Sequence, residues 1–266
     1  MLNASIDENK EARIMSIWDR EKQFYDEEWK KVQIHKITGK ITIPGIENFE
    51  GKRVLICSCG TGVEPVLAAK QGAETYAFDI SDTAVKNTRE MARYNHVLIH
   101  ADVMDFHRLS YEDNFFDILY GSAILHHIDC EIVGKEIYRV LRPGGIAFFR
   151  ENSDRVLLFR FLRRLLFGKP GGYQRRRFLF IKRRGTTDEY PLTEKEISTL
   201  SEIFDGNIKV YNERFYFLFH LNALIFRNPK IGKILWSLDS SIGDSFPSVK
   251  KYSFWQEILL KKPNFH

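Results

Sequence analysis

Two carboxylates and a glycine-bearing turn in the first half of the chain have the spacing of a ligand grip. A short apolar run, Arg53–Cys57, leads directly into Ser58-Cys59-Gly60-Thr61-Gly62. Glycine lets a backbone turn tightly and admits a ligand where a Cβ would otherwise stand. Asp79 closes the next apolar run, seventeen residues beyond Gly62. A carboxylate at a strand end can accept hydrogen bonds from both hydroxyls of a ribose. Asp102 closes a third run and can accept from an exocyclic adenine amine. The turn lacks the full G-x-G-x-x-G spacing, which weakens a nicotinamide or flavin reading. The set points to an adenosine ligand with no pyrophosphate to hold.

The elements needed to position these residues can be read from the surrounding pattern. Residues 10–36 have the amphipathic spacing of a helix. Arg53–Cys57, Thr75–Phe78, Val97–His100, Phe115–Tyr120 and Ile146–Arg150 read as strands. Helices fall between them at Val63–Gln71, from a cap at Ser81 or Asp82 to Tyr94, and at Glu131–Leu141, where Arg142-Pro143-Gly144-Gly145 stops the last. Strands alternating with helices predict a parallel sheet covered on both faces, and short continuous apolar strands agree with that. After Asn152 the alternation stops. Val156–Phe167 reads as a helix with Arg160, Arg163 and Arg164 on one face. Thr193 and Glu196 have capping-box spacing for a helix over Thr193–Phe204. Ile208–Phe219 and Tyr252–Lys261 have strand composition, and residues 220–250 between them read as an insertion.

In order along the chain, RVLICSCGTG, AFDIS, HADVMDF, FDILYGSAILHHID and LRPGGIAFFREN resemble the motifs of class I S-adenosylmethionine-dependent methyltransferases, most closely the group acting on small molecules and sugars. The resemblance covers about residues 50–152. It implies an α/β Rossmann-like three-layer sandwich whose seven-stranded, mostly parallel sheet has an antiparallel last strand, with an N-terminal helix and an inserted cap. It implies S-adenosyl-L-methionine as cofactor, held by Ser58, Cys59, Gly60, Thr61, Gly62, Asp79, Ile80, Asp102, Val103, Gly121 and Ser122. Two positions depart from the family pattern. Ile56 stands where an acidic residue usually fixes the methionine end, and Ser58 where a glycine is usual. The missing contact would come from Ser58, the Gly121 carbonyl or Tyr25 of the N-terminal helix. One domain over 1–266 is expected: an N-terminal helical segment over 1–45, a cofactor-binding core over 46–153, a basic cap with strand six over 154–250 and the last strand over 251–266.

Methyl transfer to a hydroxyl or an acidic carbon benefits from a general base with a pKa near working pH. His126 and His127 follow the fourth strand, and histidine suits that task. In some O-methyltransferases that the sequence resembles, a His-His pair here and an acid after strand five assist catalysis. The matching acid is Glu151. The catalytic expectation is therefore His126 or His127 as base, with Glu151 orienting or balancing it. A packing and helix-capping role for the pair is the structural alternative. Arg214, Tyr216 and His220, near the sixth strand, are candidates for the acceptor pocket.

The composition, 44% hydrophobic and 28% charged over 266 residues, fits a globular chain with a large core and argues against disorder or a coiled coil. Cys57, Cys59 and Cys130 suggest no disulfide framework and a reducing, cytoplasmic setting. They lack partners at zinc spacing and read as buried small hydrophobes, so no metal is expected. The N-terminus has no apolar stretch of a secretory signal, and no apolar run approaches bilayer length. Residues 155–184 hold eleven Lys and Arg and no acid, so the rest of the chain carries −6 against a total of +5. This local concentration suggests an anionic contact. Three partners fit: a membrane surface or lipid carrier, a phosphorylated or carboxylated acceptor gripped by arginine forks, and RNA stacking on Tyr173, Phe178 and Phe180. A fourth reading makes the segment a cap helix that buries its apolar face. The function expected is methyl transfer to a small-molecule acceptor, such as a sugar or lipid-linked intermediate. The alternatives are an RNA methyltransferase and a cofactor-binding protein without turnover.

Overall fold

Val54, Leu55, Ile56 and Cys57 are each at most 1% exposed, as a strand covered on both faces requires. The computed structural model describes residues from 8 onward except 155, 158, 159, 162, 163, 166, 167, 169–176, 179, 180, 183–185, 187–190, 213, 223–225, 227, 265 and 266. The chain divides into two compact units, residues 1–105 and 106–266.

The first unit contains α1 (Glu8–Trp29), β1 (Arg53–Cys57), α2 (Val63–Lys70), β2 (Glu74–Asp79), α3 (Asp82–Tyr94) and β3 (His100–Val103). β1 pairs in parallel with β2 from Arg53 opposite Glu74 to Cys57 opposite Phe78. β2 pairs in parallel with β3 from Tyr76 opposite His100 to Asp79 opposite Val103. Ser81 caps α3 by accepting the Ala84 N–H, and α3 buries Ala84, Val85, Thr88, Met91 and Ala92, one face at helical spacing. Met91, Val66 and Ile37 form a core cluster.

Two expectations shift here. The first helix ends at Trp29 rather than 36, because the side-chain amide of Asn87 on α3 takes the Trp29 carbonyl at 2.8 Å. The third strand begins at His100 rather than Val97. His96 adopts φ 56°, and the N–H groups of His96 and Val97 bond back to Arg93 and Ala92. Those residues finish the helix C-terminus before the strand can start.

The second unit contains β4 (Phe116–Ser122), a 3₁₀ turn (Leu125–His127), α4 (Cys130–Val140), β5 (Leu141–Asn152), α5 (Glu194–Ile203), β6 (Ile208–Tyr211), α6 (Leu218–Leu221), α7 (Pro229–Ser245), a 3₁₀ stretch (Pro247–Tyr252) and β7 (Trp255–Lys261). A two-residue pair, Arg177–Phe178 with Ile181–Lys182, stands apart. β4 and β5 are parallel. β7 runs antiparallel to β5, from Ile146 opposite Lys261 to Asn152 opposite Trp255, and antiparallel to β6. The sheet has seven strands, ordered β3-β2-β1 in the first unit and β4-β5-β7-β6 in the second. The seven-stranded, mostly parallel Rossmann-like sheet with its reversed last strand is as expected. Thr193 and Glu196 form the predicted capping box.

β5 is longer than Ile146–Arg150. The register shifts from Phe116 opposite Leu141 to Ile118 opposite Ile146, so Arg142–Gly145 bulges out of a strand it was expected to precede. The bulge is pinned on its far side, where Gly144 and Lys262 exchange backbone hydrogen bonds with Lys262 and Gly145. β6 is four residues, not twelve. The buried carboxylate of Asp239 accepts the N–H groups of Phe217, Leu218 and Phe219 at 2.8–3.0 Å and draws that stretch into α6. His220 therefore sits on a helix, stacked on Phe254 at 3.6 Å, and exposed Arg214 lies outside the strand.

Candidate active site

In the first unit the turn after β1 is built around one carboxylate. Ser58, Gly60 and Gly62 take φ of 60°, 45° and 79°. Asp79 Oδ2 accepts the Gly60 N–H at 2.9 Å and the Ser58 hydroxyl at 3.3 Å, while Oδ1 accepts the Ser81 N–H at 3.0 Å. Asp79 is 3% exposed. Burial pushes its pKa up against the pull of those donors, and the nearby charge of Asp26 adds to the rise. Ser58 holds a left-handed conformation that costs an L-residue roughly 1 kcal/mol. Its hydroxyl bond to Asp79 is the return a glycine could not supply. Gly62 is required by packing, since a Cβ there would lie 2.9 Å from the Thr88 Cα.

Asp102 and Val103 end β3 beside this carboxylate, in register with Phe78 and Asp79. The Met104 N–H bonds the Asp79 carbonyl at 3.1 Å. Asp102 is half-exposed and paired with Arg89 at 3.0 Å, so Arg89 orients the acid expected to face adenine. A buried strand-end carboxylate above a turn free of bulky side chains suits the nucleoside half of S-adenosylmethionine. Asp79 and the turn Ser58, Cys59, Gly60, Thr61 and Gly62, expected from the sequence to hold it, lie together in this unit, with Ile80, Asp102 and Val103 at the neighbouring strand ends.

The N-terminal helix reaches the same turn. The Trp29 ring lies 3.3 Å from where a Gly60 Cβ would stand, and Tyr25 stacks on Trp29 with centroids 5.6 Å apart. Asp26 Oδ1 accepts the Ser81 hydroxyl at 2.6 Å and the Thr83 N–H at 3.1 Å. Lys22 bridges Asp26 and Asp82. Tyr25 is thus one ring removed from the glycine turn. Trp29 and Asp26 were not singled out in the sequence, although 25, 26 and 29 share one helical face. Ile56 is sealed inside β1 and brings no charge.

In the second unit Glu151 is fully buried. Its Oε1 accepts the N–H groups of Ile124 and Leu125, each at 2.8 Å, and its Oε2 lies 2.8 Å from His126 Nδ1. One carboxylate from β5 therefore fixes both the turn after β4 and the first histidine ring. His127 packs on His126 with ring centroids 4.2 Å apart. Gly121 lies in β4, where a Cβ would meet the Phe149 ring at 2.6 Å. Ser122 ends the strand, and Ala123 turns the chain with φ 56°.

All three cysteines are buried free thiols, and burial drives the Cys57, Cys59 and Cys130 pKa values up. Among the described residues no group of His, Cys, Asp or Glu could hold a metal ion. No described helix is long and apolar enough to cross a membrane. Most of the basic segment, including Arg155, Arg163, Lys169, Arg175, Arg176, Tyr173, Phe180, Arg183 and Arg184, lies outside the described residues, and the side chain of Phe178 is likewise outside them. Within it, residues 157, 160, 161, 164 and 165 are helical. Leu157, Phe161 and Leu165 are 68%, 62% and 63% exposed.

The methyltransferase-domain family model matches residues 55–149, a span that runs from β1 into β5 and includes Asp79, Asp102, Gly121 and both histidines. That stretch is similar to the methyltransferase domain over its whole matched length, as the sequence motifs led one to expect. The cofactor of the family is S-adenosylmethionine. The chain is 30% identical over 126 residues to a demethylmenaquinone methyltransferase of Staphylococcus carnosus, covering 45% of this chain and 51% of that one. It is 27% identical over 161 residues to a demethylmenaquinone methyltransferase of Anoxybacillus flavithermus, covering 57% and 67%. The chain thus spans about half the length of the first of these relatives and two thirds of the second. A solved S-adenosylmethionine-dependent methyltransferase from Methanosarcina mazei shares the fold with TM-score 0.56 at 20% identity, over 84% of this chain and 99% of that chain.

Proposed function

We propose that this chain transfers a methyl group from S-adenosylmethionine to a small-molecule acceptor that must lose a proton, a hydroxyl or an acidic carbon, with His126 as the base. The Glu151–His126 contact carries this reading. A carboxylate on Nδ1 holds the proton there and leaves the Nε2 lone pair as acceptor. When bound, the cofactor supplies an electrophilic methyl on a sulfonium. Asp79 accepts from the ribose hydroxyls and the glycine turn admits the nucleoside without steric conflict. Tyr25 and Ser58 stand in for the acid absent at Ile56. His126 takes the acceptor's proton as the new bond to carbon forms, and returns it to solvent.

The acceptor is read as apolar, with an anionic or lipid-linked end, met at a membrane surface through residues 155–184. Three observations support this. The segment is uniformly basic, its described helical residues expose Leu157, Phe161 and Leu165 beside Arg160 and Arg164, and two relatives are named for methylating demethylmenaquinone.

The test is production of S-adenosylhomocysteine across a panel of quinols, polyprenyl-linked saccharides and free sugars. Turnover on one class that falls with His126→Ala while cofactor affinity holds supports the reading. Cofactor binding with no product on any acceptor would identify a binding protein instead.

A further inference from the structure

Asp79 does not load its two oxygens equally. Among the described residues, Oδ2 takes two donors, the Gly60 N–H and the Ser58 hydroxyl, while Oδ1 takes one, the Ser81 N–H at 3.0 Å. An ionised carboxylate offers about four acceptor positions. Oδ1 is therefore the oxygen with room for a ribose hydroxyl, and Ser81 is the residue that aims it. Ser81 is fully buried, and its side chain is committed on both sides. It accepts the Ala84 N–H at 3.1 Å as the cap of α3, and it donates its hydroxyl to Asp26 Oδ1 on α1 at 2.6 Å. The same Asp26 oxygen accepts the Thr83 N–H at 3.1 Å. Two of the N–H groups that open α3 are thus satisfied, one by its own cap and one by a carboxylate from another helix.

The same turn of α1 reaches the other oxygen. Asp26 and Trp29 are three residues apart and share a helical face. The Trp29 ring closes on Gly60, whose N–H is held by Oδ2, and the Asn87 side-chain amide fixes the Trp29 carbonyl at 2.8 Å. Asp79 is thus linked to α1 twice, through Ser81 to Asp26 and through Gly60 to Trp29. Bringing a second carboxylate to this corner is unfavourable by itself, since after burial the charge of Asp26 adds to the rise in the Asp79 pKa. Asp26 is held there all the same. Burial pushes its own pKa up, but the Ser81 hydroxyl, the Thr83 N–H and Lys22 outweigh that and lower it. We propose that Asp26 is a positioning residue of the cofactor site: through the Ser81 hydroxyl it fixes the Ser81 N–H on Asp79 Oδ1, so that docking α1 on α3 and aiming the ribose acid are one event. The inference rests on the reading of Asp79 as the ribose acceptor, and adds to it a helix outside the residues that the family model matches. Coupling of this kind is reciprocal, so the cofactor should tighten α1 as α1 tightens the cofactor.

Calorimetric titration of the full chain with S-adenosylhomocysteine, run beside amide hydrogen exchange, tests it. Asp26→Ala should weaken binding about tenfold. Asp26→Asn keeps a side-chain oxygen for Ser81 and Thr83 and should restore most of the affinity. Saturating S-adenosylhomocysteine should slow exchange across residues 22–29 in wild type and leave it unslowed in Asp26→Ala. An Asp26→Ala protein that melts lower yet binds like wild type would reduce Asp26 to a packing role and overturn the proposal, as would an Asp26→Asn protein no tighter than Asp26→Ala. Should Asp26→Ala not fold, wild-type exchange decides, and α1 amides unmoved by the ligand overturn the proposal. Asp79→Asn separates the two readings. Weak binding by Asp79→Asn with Asp26→Ala at wild-type strength removes the positioning role alone. Wild-type binding by Asp79→Asn, or none by the unaltered chain, removes the ribose reading and the proposal with it.

Discussion

The carboxylate of Glu151 lies 2.8 Å from Nδ1 of His126 and uses its other oxygen to hold the backbone of Ile124 and Leu125. One buried acid thus builds the turn and holds the ring that the turn carries. Glutamine at 151 retains an acceptor for the backbone but presents N–H to Nδ1, which moves the imidazole proton to Nε2. Glu151→Gln should keep the fold and cofactor affinity while lowering turnover about 100-fold, within the range of general-base contributions. Steady-state kinetics beside calorimetric titration of S-adenosylhomocysteine checks this. An unchanged rate would reduce Glu151 to a structural role.

Asp79 makes the second prediction. Hydrogen bonds to a charged group contribute about 1.5–3 kcal/mol. Asp79→Asn should therefore weaken cofactor binding by roughly 10- to 100-fold, read by calorimetry. Because burial raises the Asp79 pKa, ribose binding should fail on acidification at a higher pH than an ordinary aspartate would allow. Binding at mildly acid pH should release protons, seen as a heat that varies with the buffer's ionisation enthalpy. The sign for stability is the opposite of a salt-bridged acid. With the folded pKa above the unfolded one, ionised Asp79 costs stability at neutral pH. The cost begins to fade as pH falls through the folded pKa and is gone below the unfolded one.

Ser58 tests the strain in the cofactor turn. With φ at 60°, Ser58→Gly should leave stability within about 1 kcal/mol of wild type, relief of the left-handed penalty being offset by glycine's chain entropy and by loss of the hydroxyl bond to Asp79. Ser58→Val should lower it by about 1–2 kcal/mol, since a branched side chain tolerates positive φ poorly. Denaturant midpoints of the three proteins give the order.

The thiols supply a fourth expectation. Cys57, Cys59 and Cys130 are buried with pKa values driven up, so the thiolate needed for reaction is scarce and enclosed. Ellman's reagent should find no reactive thiol in the native protein and three after denaturation. Fast native labelling of any one would contradict its burial.

The core was legible because its signals are local. Continuous apolar runs marked β1, β2 and β4, and Ser81, Thr193 and Glu196 announced their caps. Asp79 could be placed because a parallel strand puts its last residue at the ligand edge. The misses have one cause. Where β3 starts depends on Ala92 and Arg93 accepting bonds from the residues after α3, where β5 starts depends on a register shift against Phe116, and where β6 stops depends on Asp239, nearly thirty residues downstream. Each is a contact between distant positions, with no periodicity to betray it.

By itself the amino-acid order determined that this chain alternates strands and helices and places a ribose-competent acid after a lean turn, since side-chain size and spacing alone decide such things. The pairing of Glu151 with His126, the laying of Trp29 over Gly60, and the reach of Asp26 to Ser81 were decided only by tertiary structure. Burial and partner geometry are properties of neighbours brought together from far apart in the chain, and an apolar residue's type does not say which way its helix will face.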